Sequence, residues 1–306
     1  MSALLMRRVI LQVSGHPGVE RLVRANADKF GIGRFVAGES LEEAVAVAGR
    51  LQAKGLLVTM DRLGEYVKDL SQAREAMEQI LSLADALHAA GNPVNISVKL
   101  TQLGLDIGRD HAAAHLRSIV ERAAGYDGFI RVDMEDSARV DVTLDLVKEL
   151  WQEFPGRIGT VIQSYLYRSR DDLEGLAALG MNVRIVKGAY LEPPEVAFPD
   201  KEDVDRNFFE LVRLLLERDC YAAVATHDSR LIEQVLDYAG QKGIGRDRFE
   251  FQMLYGIRPD LQEQLARDGY RVRVYVPYGR DWYGYFSRRL AERPANVWFV
   301  LRNLFR

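Results

Sequence analysis

The chain has 306 residues, of which 48% are hydrophobic and 28% are charged, and its formal net charge at pH 7 is −3. This composition excludes an intrinsically disordered protein, and the small negative charge argues against a nucleic-acid binder. The single cysteine, Cys220, excludes an internal disulfide and fits a reducing compartment. No uncharged apolar run reaches the roughly 20 residues that span a bilayer, and the N-terminus lacks the pattern of a signal peptide. We therefore expect a cytoplasmic protein.

The first part of the chain has a helical pattern. Residues 1–54 precede the first predicted strand, and within them Glu39–Lys54 has a helical spacing that Ser40 can cap. We expect an N-terminal helical extension over 1–54 and a catalytic domain over 55–306.

Eight short runs rich in Val, Ile, Phe or Tyr follow, and each has the length of a β-strand. They lie at 55–61, 94–100, 129–135, 158–165, 182–190, 221–228, 248–254 and 271–277. Helical patterns separate most of them, including one that Ser71 is predicted to cap and others at 138–153, 169–179, 229–240, 259–267 and 283–292. This alternation is typical of parallel strands joined by helices and predicts a (β/α)8 barrel.

An open doubly wound sheet is the alternative architecture. Its usual phosphate-binding fingerprint is missing, because Gly31 and Gly33 begin a G-x-G pattern but Val36 occupies the third glycine position. No predicted strand precedes these glycines, so a Rossmann dinucleotide site is disfavoured.

Every predicted strand ends in a polar side chain. These residues are Asp61, Lys99, Asp133 with Glu135, Gln163, Lys187, Thr226 with His227, Gln252 and Tyr275. Any one of them is equally consistent with a strand end meeting water. Because the active sites of such barrels lie at the C-terminal ends of the strands, the whole set predicts an active-site mouth.

Several chemistries are open at this mouth. Lys99 and Lys187 could each be a Schiff-base nucleophile or, as we prefer, an anchor for an anionic ligand. The three carboxylates Asp133, Glu135 and Asp136 could hold a divalent metal, although no companion ligand on a neighbouring strand is obvious. His111 and His115 have the i, i+4 spacing of a zinc pair but lack the glutamate of H-E-x-x-H. We predict no metal site.

A doublet of arginines follows the eighth predicted strand. Arg288 and Arg289 share or adjoin one helical face with Tyr285 and Glu292. Paired guanidinium groups are suited to binding a carboxylate through two hydrogen bonds each, whereas a solvated basic helix end is the commoner structure for such a doublet.

Seven segments together resemble proline dehydrogenase, and the likeness is strongest to its short, single-function bacterial form. They are SVKLTQLG (97–104), RVDMEDS (131–137), VIQSYLYR (161–168), RIVKGAY (184–190), ATHDSR (225–230), FQMLYGIRP (251–259) and YVPYGRDWYGYFSRRLAERPAN (275–296). The resemblance covers nearly the whole chain with its motifs in order. It implies a distorted (β/α)8 TIM barrel that binds FAD without a Rossmann motif.

The resemblance also implies roles for individual residues. Positions that match flavin contacts are Met134, Gln163, Arg184, Lys187, Gly188, Ala189, Thr226 and His227, with Glu292 as a supporting carboxylate. Arg184 matches a cation near the reactive edge of the flavin, which stabilises the reduced, anionic ring. Asp133 matches a catalytic position near the substrate.

The substrate side of the site follows from the same resemblance. Lys99, Arg288 and Arg289 match residues that hold the carboxylate of L-proline, and the pocket walls match Tyr190, Leu254, Tyr275 and Tyr285. The implied reaction oxidises L-proline to 1-pyrroline-5-carboxylate by hydride transfer to flavin N5, and a membrane quinone receives the electrons. The cations of the site are expected to disfavour a positively charged substrate amine.

Two expectations concern the edges of the site and the chain end. Glu65 is expected to pair with Arg289 as a gate over the substrate. The segment NVWFVLRNLFR at 296–306 mixes aromatic and basic residues. It has the composition of a helix in peripheral contact with a membrane, but packing on the barrel or on a subunit of an oligomer is the commoner structure.

Two other functions differ from the leading interpretation. A Schiff-base aldolase would use Lys99 or Lys187 and would be trapped by borohydride. A barrel-shaped amino-acid binding protein would bind proline without turnover, but the ring of polar strand ends is more than binding requires.

Overall fold

The fold is described from a computed structural model, which covers residue 14 and residues 16–27, 31–64 and 67–292, the side chains of 290–292 excepted. Its centre is a closed barrel of parallel strands in the order β1 to β8. The strands are β1 (Leu57–Arg62), β2 (Asn95–Val98), β3 (Phe129–Val132), β4 (Ile158–Gln163), β5 (Val183–Val186), β6 (Ala222–Ala225), β7 (Phe249–Leu254) and β8 (Val272–Tyr278). The predicted barrel is confirmed.

The barrel closes where its first and last strands pair. β1 and β8 are in parallel register from Leu57 opposite Arg273 to Arg62 opposite Tyr278. Several strands are shorter than the apolar runs that predicted them. Lys99, Asp133, Lys187 and Thr226 consequently lie one residue beyond β2, β3, β5 and β6, in the loops at the mouth.

Helices alternate with the strands along the chain. Those in the described residues are α1 (Pro17–Ala25), α2 (Leu41–Gln52), α3 (Leu70–Ala89), α4 (Arg109–Ala124), α5 (Val140–Glu153), α6 (Ser169–Ala177), α7 (Lys201–Glu217), α8 (Ser229–Lys242), α9 (Pro259–Arg267) and α10 (Trp282–Glu292). Short 3₁₀ helices lie at Ile32–Arg34 and Ser137–Arg139. No helix within these ranges has both the length and the apolar composition needed to cross a membrane.

The helix that packs outside β1 and β8 comes from before the first strand. α2 precedes β1 and packs against both β1 and β8, the position that a helix after β8 takes in a regular barrel. The last helix of the described residues, α10, lies at the mouth, where its Tyr285 and Arg288 line a cavity. This arrangement is the distortion of the barrel, and it brings the helix after β8 to the site.

A second apolar cluster holds α10 in that position. Trp282 and Phe286 pack there with residues of the N-terminal segment, among them Phe35 and Val36, and with Leu63 after β1. The domain boundary at residue 54 stays a prediction. Both α2 and the 3₁₀ helix Ile32–Arg34, which precede this boundary, pack on the part of the chain that follows it.

Local hydrogen bonds explain where two helices begin. Ser40 caps α2 as predicted, and its side chain and that of Glu43 form a reciprocal capping box. The predicted cap of α3, Ser71, is wrong by two positions. Asp69 accepts the backbone N–H of Gln72 at 2.9 Å and the hydroxyl of Ser71 at 2.6 Å, so a carboxylate satisfies the helix N-terminus two residues earlier.

The two faces of the barrel wall differ in chemistry because neighbouring residues of a strand face opposite sides. Outward residues such as Ile96, Val98 and Ile130 form the main core beneath the helices. Inward residues are polar or charged to an unusual degree for a barrel of this type. They include Thr59, Asp61, Ser97, Arg131, Arg184, Glu250, Gln252, Arg273 and Tyr275.

Candidate active site

A cavity of about 530 Å³ opens at the C-terminal ends of the strands, within the size range of small-molecule sites. Almost all of the polar strand ends predicted from the sequence converge on it. The lining includes Asp61, Lys99, Asp133, Met134, Gln163, Arg184, Lys187, Gly188, Ala189, Tyr190, Thr226, His227, Gln252, Leu254, Tyr275, Tyr285 and Arg288. The predicted strand ends therefore lie around one continuous cavity, and its role as the active site stays a prediction.

Glu135 is the predicted strand-end residue that does not line the cavity. It is 2% exposed, and its carboxylate accepts the backbone N–H of Thr101 at 3.0 Å and the hydroxyl of Thr101 at 2.6 Å. Its backbone carbonyl accepts the side-chain amide of Gln163 at 2.9 Å. Glu135 thus ties the loops after β2 and β3 together and orients Gln163.

The metal alternatives do not match the geometry. Asp133 lines the cavity, Glu135 binds Thr101, and Asp136 pairs with Arg139, so the three carboxylates point to different partners. His115 binds the carbonyl of Leu103 through Nδ1 at 2.9 Å. Among the residues that the structure describes, no group of three or more His, Cys, Asp or Glu side chains could hold a metal ion.

Lys99 lies in a pocket of oxygen atoms at the centre of the site. Its Nζ is 3.3 Å from Oδ1 of Asp61, 3.6 Å from Oδ2 of Asp133 and 3.4 Å from the hydroxyl of Tyr275. Carboxylates on two sides suit a fixed ammonium group better than a nucleophile that must lose its proton. The contacts therefore favour the anchoring role over the Schiff-base role.

Tyr275 contributes a hydroxyl group to the side chains around Lys99. It donates to Oδ2 of Asp133 at 2.8 Å. Burial raises the pKa of Tyr275 well above its usual value, and the negative charges of Asp133 and Asp61 raise it further. The phenol consequently remains protonated and keeps donating to Asp133.

Arg184 spans the barrel interior and is 4% exposed. Its guanidinium donates to Oδ1 of Asp133 at 2.7 Å, to the hydroxyl of Ser97 at 3.1 Å and to Oε1 of Gln252 at 2.5 Å. It also lies 5.3 Å from the centre of the Tyr275 ring. Partners on or just after three other strands hold the group in one orientation.

The charges at the centre of the site balance. The cations Lys99 and Arg184 are paired with the carboxylates Asp61 and Asp133. The cations are visible in the sequence, whereas this compensation is not. Arg288 on α10 places a further cation at the cavity wall.

Lys187 forms a second charged group at the cavity wall. Its Nζ lies 2.6 Å from Oδ1 of Asp205 on α7 and 3.2 Å from Oδ2 of Asp228. Asp228 caps α8 by accepting the backbone N–H of Arg230 at 3.2 Å. Beside it, Nε2 of His227 accepts the backbone N–H of Leu254 at 2.9 Å, which fixes the ring in the wall.

Gly188 occupies a position that a side chain would not fit. Its φ angle is +119°, and a Cβ atom there would lie 2.5 Å from the ring of Tyr165. Glycine is therefore required both by the backbone conformation and by the packing of Tyr165. The role predicted from the sequence for the same glycine is close approach of a cofactor.

The helix α10 brings only part of its predicted set to the cavity. Tyr285 and Arg288 line the cavity, whereas Arg289 has its guanidinium 5.2 Å from the centre of the Tyr285 ring. The side chain of Glu292, the residue Glu65 and the segment 296–306 lie outside the described residues, so the roles predicted for them stay predictions.

Several residues of the site have no role predicted from the sequence. Asp61 and Gln252 were named only as strand ends, and Ser97, Asp205 and Asp228 were not singled out as site residues. For Gln252 a signal existed, because the run FEFQML alternates large apolar residues with Glu250 and Gln252, which places both on the inner face of β7. The partners of Lys187 come from other parts of the chain, and no local pattern indicates them.

Comparison with known proteins gives consistent matches. A family model described as proline dehydrogenase matches residues 44–302. The chain is 48% identical over 306 residues to the proline dehydrogenase of Deinococcus radiodurans, a match that covers 99% of this chain and 98% of that protein. It is 43% identical over 302 residues to proline dehydrogenase 1 of Bacillus subtilis, covering 99% of this chain and 100% of that protein.

A longer protein of known structure has the same fold. The crystal structure of proline utilization A from Bdellovibrio bacteriovorus, inactivated by N-propargylglycine, is similar with a TM-score of 0.81 and 26% sequence identity. The match covers 89% of this chain and 33% of that chain, so the likeness concerns about a third of the longer protein.

Proposed function

The chain belongs to the proline dehydrogenase family, and from this premise we propose that it oxidises L-proline to 1-pyrroline-5-carboxylate with FAD as its cofactor. The observation that carries the proposal is the convergence of Lys99, Asp133, Arg184 and Tyr275 on one cavity at the barrel mouth. This is the first step of proline catabolism.

The cavity suits a flavin by the chemistry of its wall. Arg184 and Lys187 present cations to it, and the backbone of Gly188 is exposed to it without a side chain. Apolar surface comes from Met134, Val161 and Val186, as a flat aromatic ligand requires. The residues proposed to hold FAD are Met134, Gln163, Arg184, Lys187, Gly188, Ala189, Thr226 and His227, with Glu292 in support.

When bound, FAD supplies a hydride acceptor at N5 and a route for the electrons to a membrane quinone. The residues of the protein tune the flavin and orient the groups around it. Arg184, fixed by its three partners, provides a positive charge that favours the anionic reduced form of such a ring. Asp133 holds Arg184, Lys99 and Tyr275 in one arrangement through its two oxygen atoms.

The substrate is held from two sides in this proposal. Lys99 and Arg288, with Arg289 beside them, bind the carboxylate of L-proline, which orients the ring for reaction. Tyr190, Leu254, Tyr275 and Tyr285 form the walls around the pyrrolidine ring. Arg288, which lines the cavity, places a positive charge near the substrate, and this charge disfavours the ammonium form of the substrate amine.

An absorbance experiment tests this function. The FAD-loaded protein is mixed with L-proline without oxygen, and the oxidised flavin band is recorded before and after mixing. Bleaching of the band is the expected result. A bound flavin that proline does not bleach would contradict the proposed substrate. A protein that binds no flavin would contradict the proposed cofactor. The Schiff-base alternative at Lys99 or Lys187 would then be tested by borohydride trapping.

We also propose that Glu65 pairs with Arg289 as a gate over the bound substrate. The variant Glu65→Gln removes the charge of the carboxylate while keeping its size. The expected result is weaker proline binding and slower turnover. Unchanged kinetics would contradict the proposed gating role of Glu65.

The proposed location is the cytoplasm, with peripheral contact between the segment 296–306 and the inner face of the membrane. Sedimentation with vesicles measures this contact. A variant shortened at residue 295 is expected to sediment less than the full chain, and equal sedimentation would leave packing on the barrel or on a subunit partner as the role of the segment.

A further inference from the structure

A continuous chain of buried hydrogen bonds links the lower part of the barrel interior to Arg184. Nε of Arg273 donates to Oε1 of Glu250 at 2.7 Å, and the side-chain amide of Gln252 donates to the same oxygen at 2.5 Å. The carbonyl oxygen of Gln252 in turn accepts Nε of Arg184 at 2.5 Å. Glu250, Gln252 and Arg184 are each at most 4% exposed.

We propose that Gln252, anchored by Glu250 and Arg273, is the positioning residue that sets the orientation of Arg184 in the active site. The effect of this orientation on the reaction rests on the proposed function, because Arg184 is the cation proposed to lie beside the flavin. The geometry of the chain of hydrogen bonds stands without it.

The chemistry of the two neighbours explains why a glutamine occupies this position. Glu250 offers only acceptors and Arg184 offers only donors. A glutamine amide has a donor group for the first and a carbonyl oxygen for the second, so one side chain connects them without adding a charge. A glutamate at 252 would oppose Glu250, and a lysine would oppose Arg184.

The lower end of the chain of hydrogen bonds is fixed. Besides Gln252, Glu250 accepts two bonds from Arg273, at 2.7 and 3.0 Å, and the hydroxyl of Tyr221 at 3.0 Å. Burial alone would raise the pKa of Glu250, but the charge and hydrogen bonds of Arg273 hold it below its usual value. The carboxylate therefore stays charged and holds the amide of Gln252 in one orientation.

Gln252 engages the one nitrogen of Arg184 that the other partners leave out. Asp133 and Ser97 take the two terminal nitrogens, at 2.7 and 3.1 Å, and Gln252 takes Nε. Asp133 also contacts Lys99 and Tyr275, so Arg184 shares this carboxylate with two other side chains of the site. Gln252 is bonded to Glu250 on its other side, so its contact with Nε connects the plane of the guanidinium to the buried pair of Glu250 and Arg273.

The variant Gln252→Met tests this role, because it keeps the length of the side chain and removes both hydrogen bonds. Phe251→Leu is the matched control: Phe251 is the neighbouring residue of β7, fully buried, and packs on the outer face against Phe249 and Tyr270. It alters the packing of the same strand without touching Arg184. Two properties are measured on the full-length protein.

The first property is the hydrogen exchange of the Arg184 Nε–H group, recorded by NMR and assigned with Arg184→Lys. Since hydrogen bonds to charged groups contribute a factor of about ten or more, we expect Gln252→Met to speed this exchange at least about tenfold. The control should leave it unchanged. Equal exchange in the wild-type protein and in Gln252→Met would overturn the inference.

The second property is the midpoint potential of bound FAD, measured by spectroelectrochemistry. A less well placed Arg184 favours the reduced flavin less, so the potential should fall in Gln252→Met, by about 30 mV for a tenfold change in a two-electron equilibrium. Glu250→Gln, which leaves Gln252 in place but removes the anchoring charge, should shift exchange and potential in the same direction by less. It also provides the test if Gln252→Met does not fold.

The two measurements separate the inference from the proposed function. A wild-type protein that binds no flavin would contradict the proposed function, while the exchange of Arg184 would still decide the role of Gln252. A potential that falls equally in Gln252→Met and in Phe251→Leu would show a general effect of strand packing and overturn the positioning role.

Discussion

The two ends of the barrel interior both contain buried charges, but they use them differently. At the floor, Glu250 and Arg273 pair with each other, and Arg273 also donates to the backbone carbonyl of Val58 at 2.9 Å. At the mouth, Asp133 and Arg184 pair just as closely, at 2.7 Å, but both line the cavity.

This difference indicates which buried charges mark a site. A strongly shifted pKa or a deep burial occurs at both ends, since burial lowers the pKa of Arg131 on the floor and raises that of Tyr275 at the mouth. What separates the ends is access to a cavity. The floor charges are expected to serve mainly stability and to act on the site through Gln252, whereas the mouth charges are expected to act directly in the reaction. The first two of the following four sets of variants test this division.

The largest effect is expected on the floor. Arg273→Met leaves Glu250 buried without its cation, and breaking such a pair on one side costs about 3–5 kcal/mol in the free energy of unfolding. Urea unfolding measures the loss. The double variant with Glu250→Gln should recover part of it, because the uncompensated charge is then gone. A double variant no more stable than Arg273→Met would show that the charge is not the cause.

At the mouth, Arg184→Met should act mainly on the reaction. Removing a fixed cation from the place where negative charge develops typically slows a reaction by about 10²–10³-fold. Anaerobic stopped-flow recording of flavin reduction by proline measures this rate. The free energy of unfolding should change less than in Arg273→Met. Equal losses of stability at both ends would contradict the division.

The backbone at the mouth provides a third comparison. Gly188→Ala combines a positive φ of +119° with a clash against Tyr165, and such strain costs about 1–3 kcal/mol. Gly55 has a φ of +78°, and a Cβ atom there would meet nothing within 4 Å, so Gly55→Ala measures the conformational cost alone. Urea unfolding of both variants should show the larger loss in Gly188→Ala, and equal losses would mean that Tyr165 moves aside freely.

The smallest effect concerns alkaline pH. The raised pKa of Tyr275 means that the folded protein keeps a proton that the unfolded chain releases above about pH 10. Stability is therefore complete below about pH 10 and falls as the pH rises further, by up to about 1.4 kcal/mol per pH unit for this group. Tyr275→Phe should reduce the slope of unfolding free energy against pH. Tyr221 and Tyr278, whose pKa values are also raised by burial, contribute to the slope that remains, and an unchanged slope would exclude Tyr275 as a contributor.

The barrel and much of its mouth could be predicted without any structure. Strand-length runs such as VNISVKL and FIRVDME contain Lys99 and Asp133 near their C-terminal ends, and parallel strands must place such ends at one edge. Local chemistry also predicted the Ser40 cap. These features follow from short-range periodicity and side-chain type, which a sequence displays directly.

Which charges face each other depends on the tertiary structure alone. The pairing of Lys99 with Asp61, of Lys187 with Asp205 and of Arg184 with Gln252 joins residues far apart in the chain, and it depends on the register and closure of the barrel. The same holds for α2, which takes the place beside β1 and β8 and so leaves α10 to cover the mouth. The physical reason is that burial makes each charge require a partner, and only the fold sets which partner is within reach.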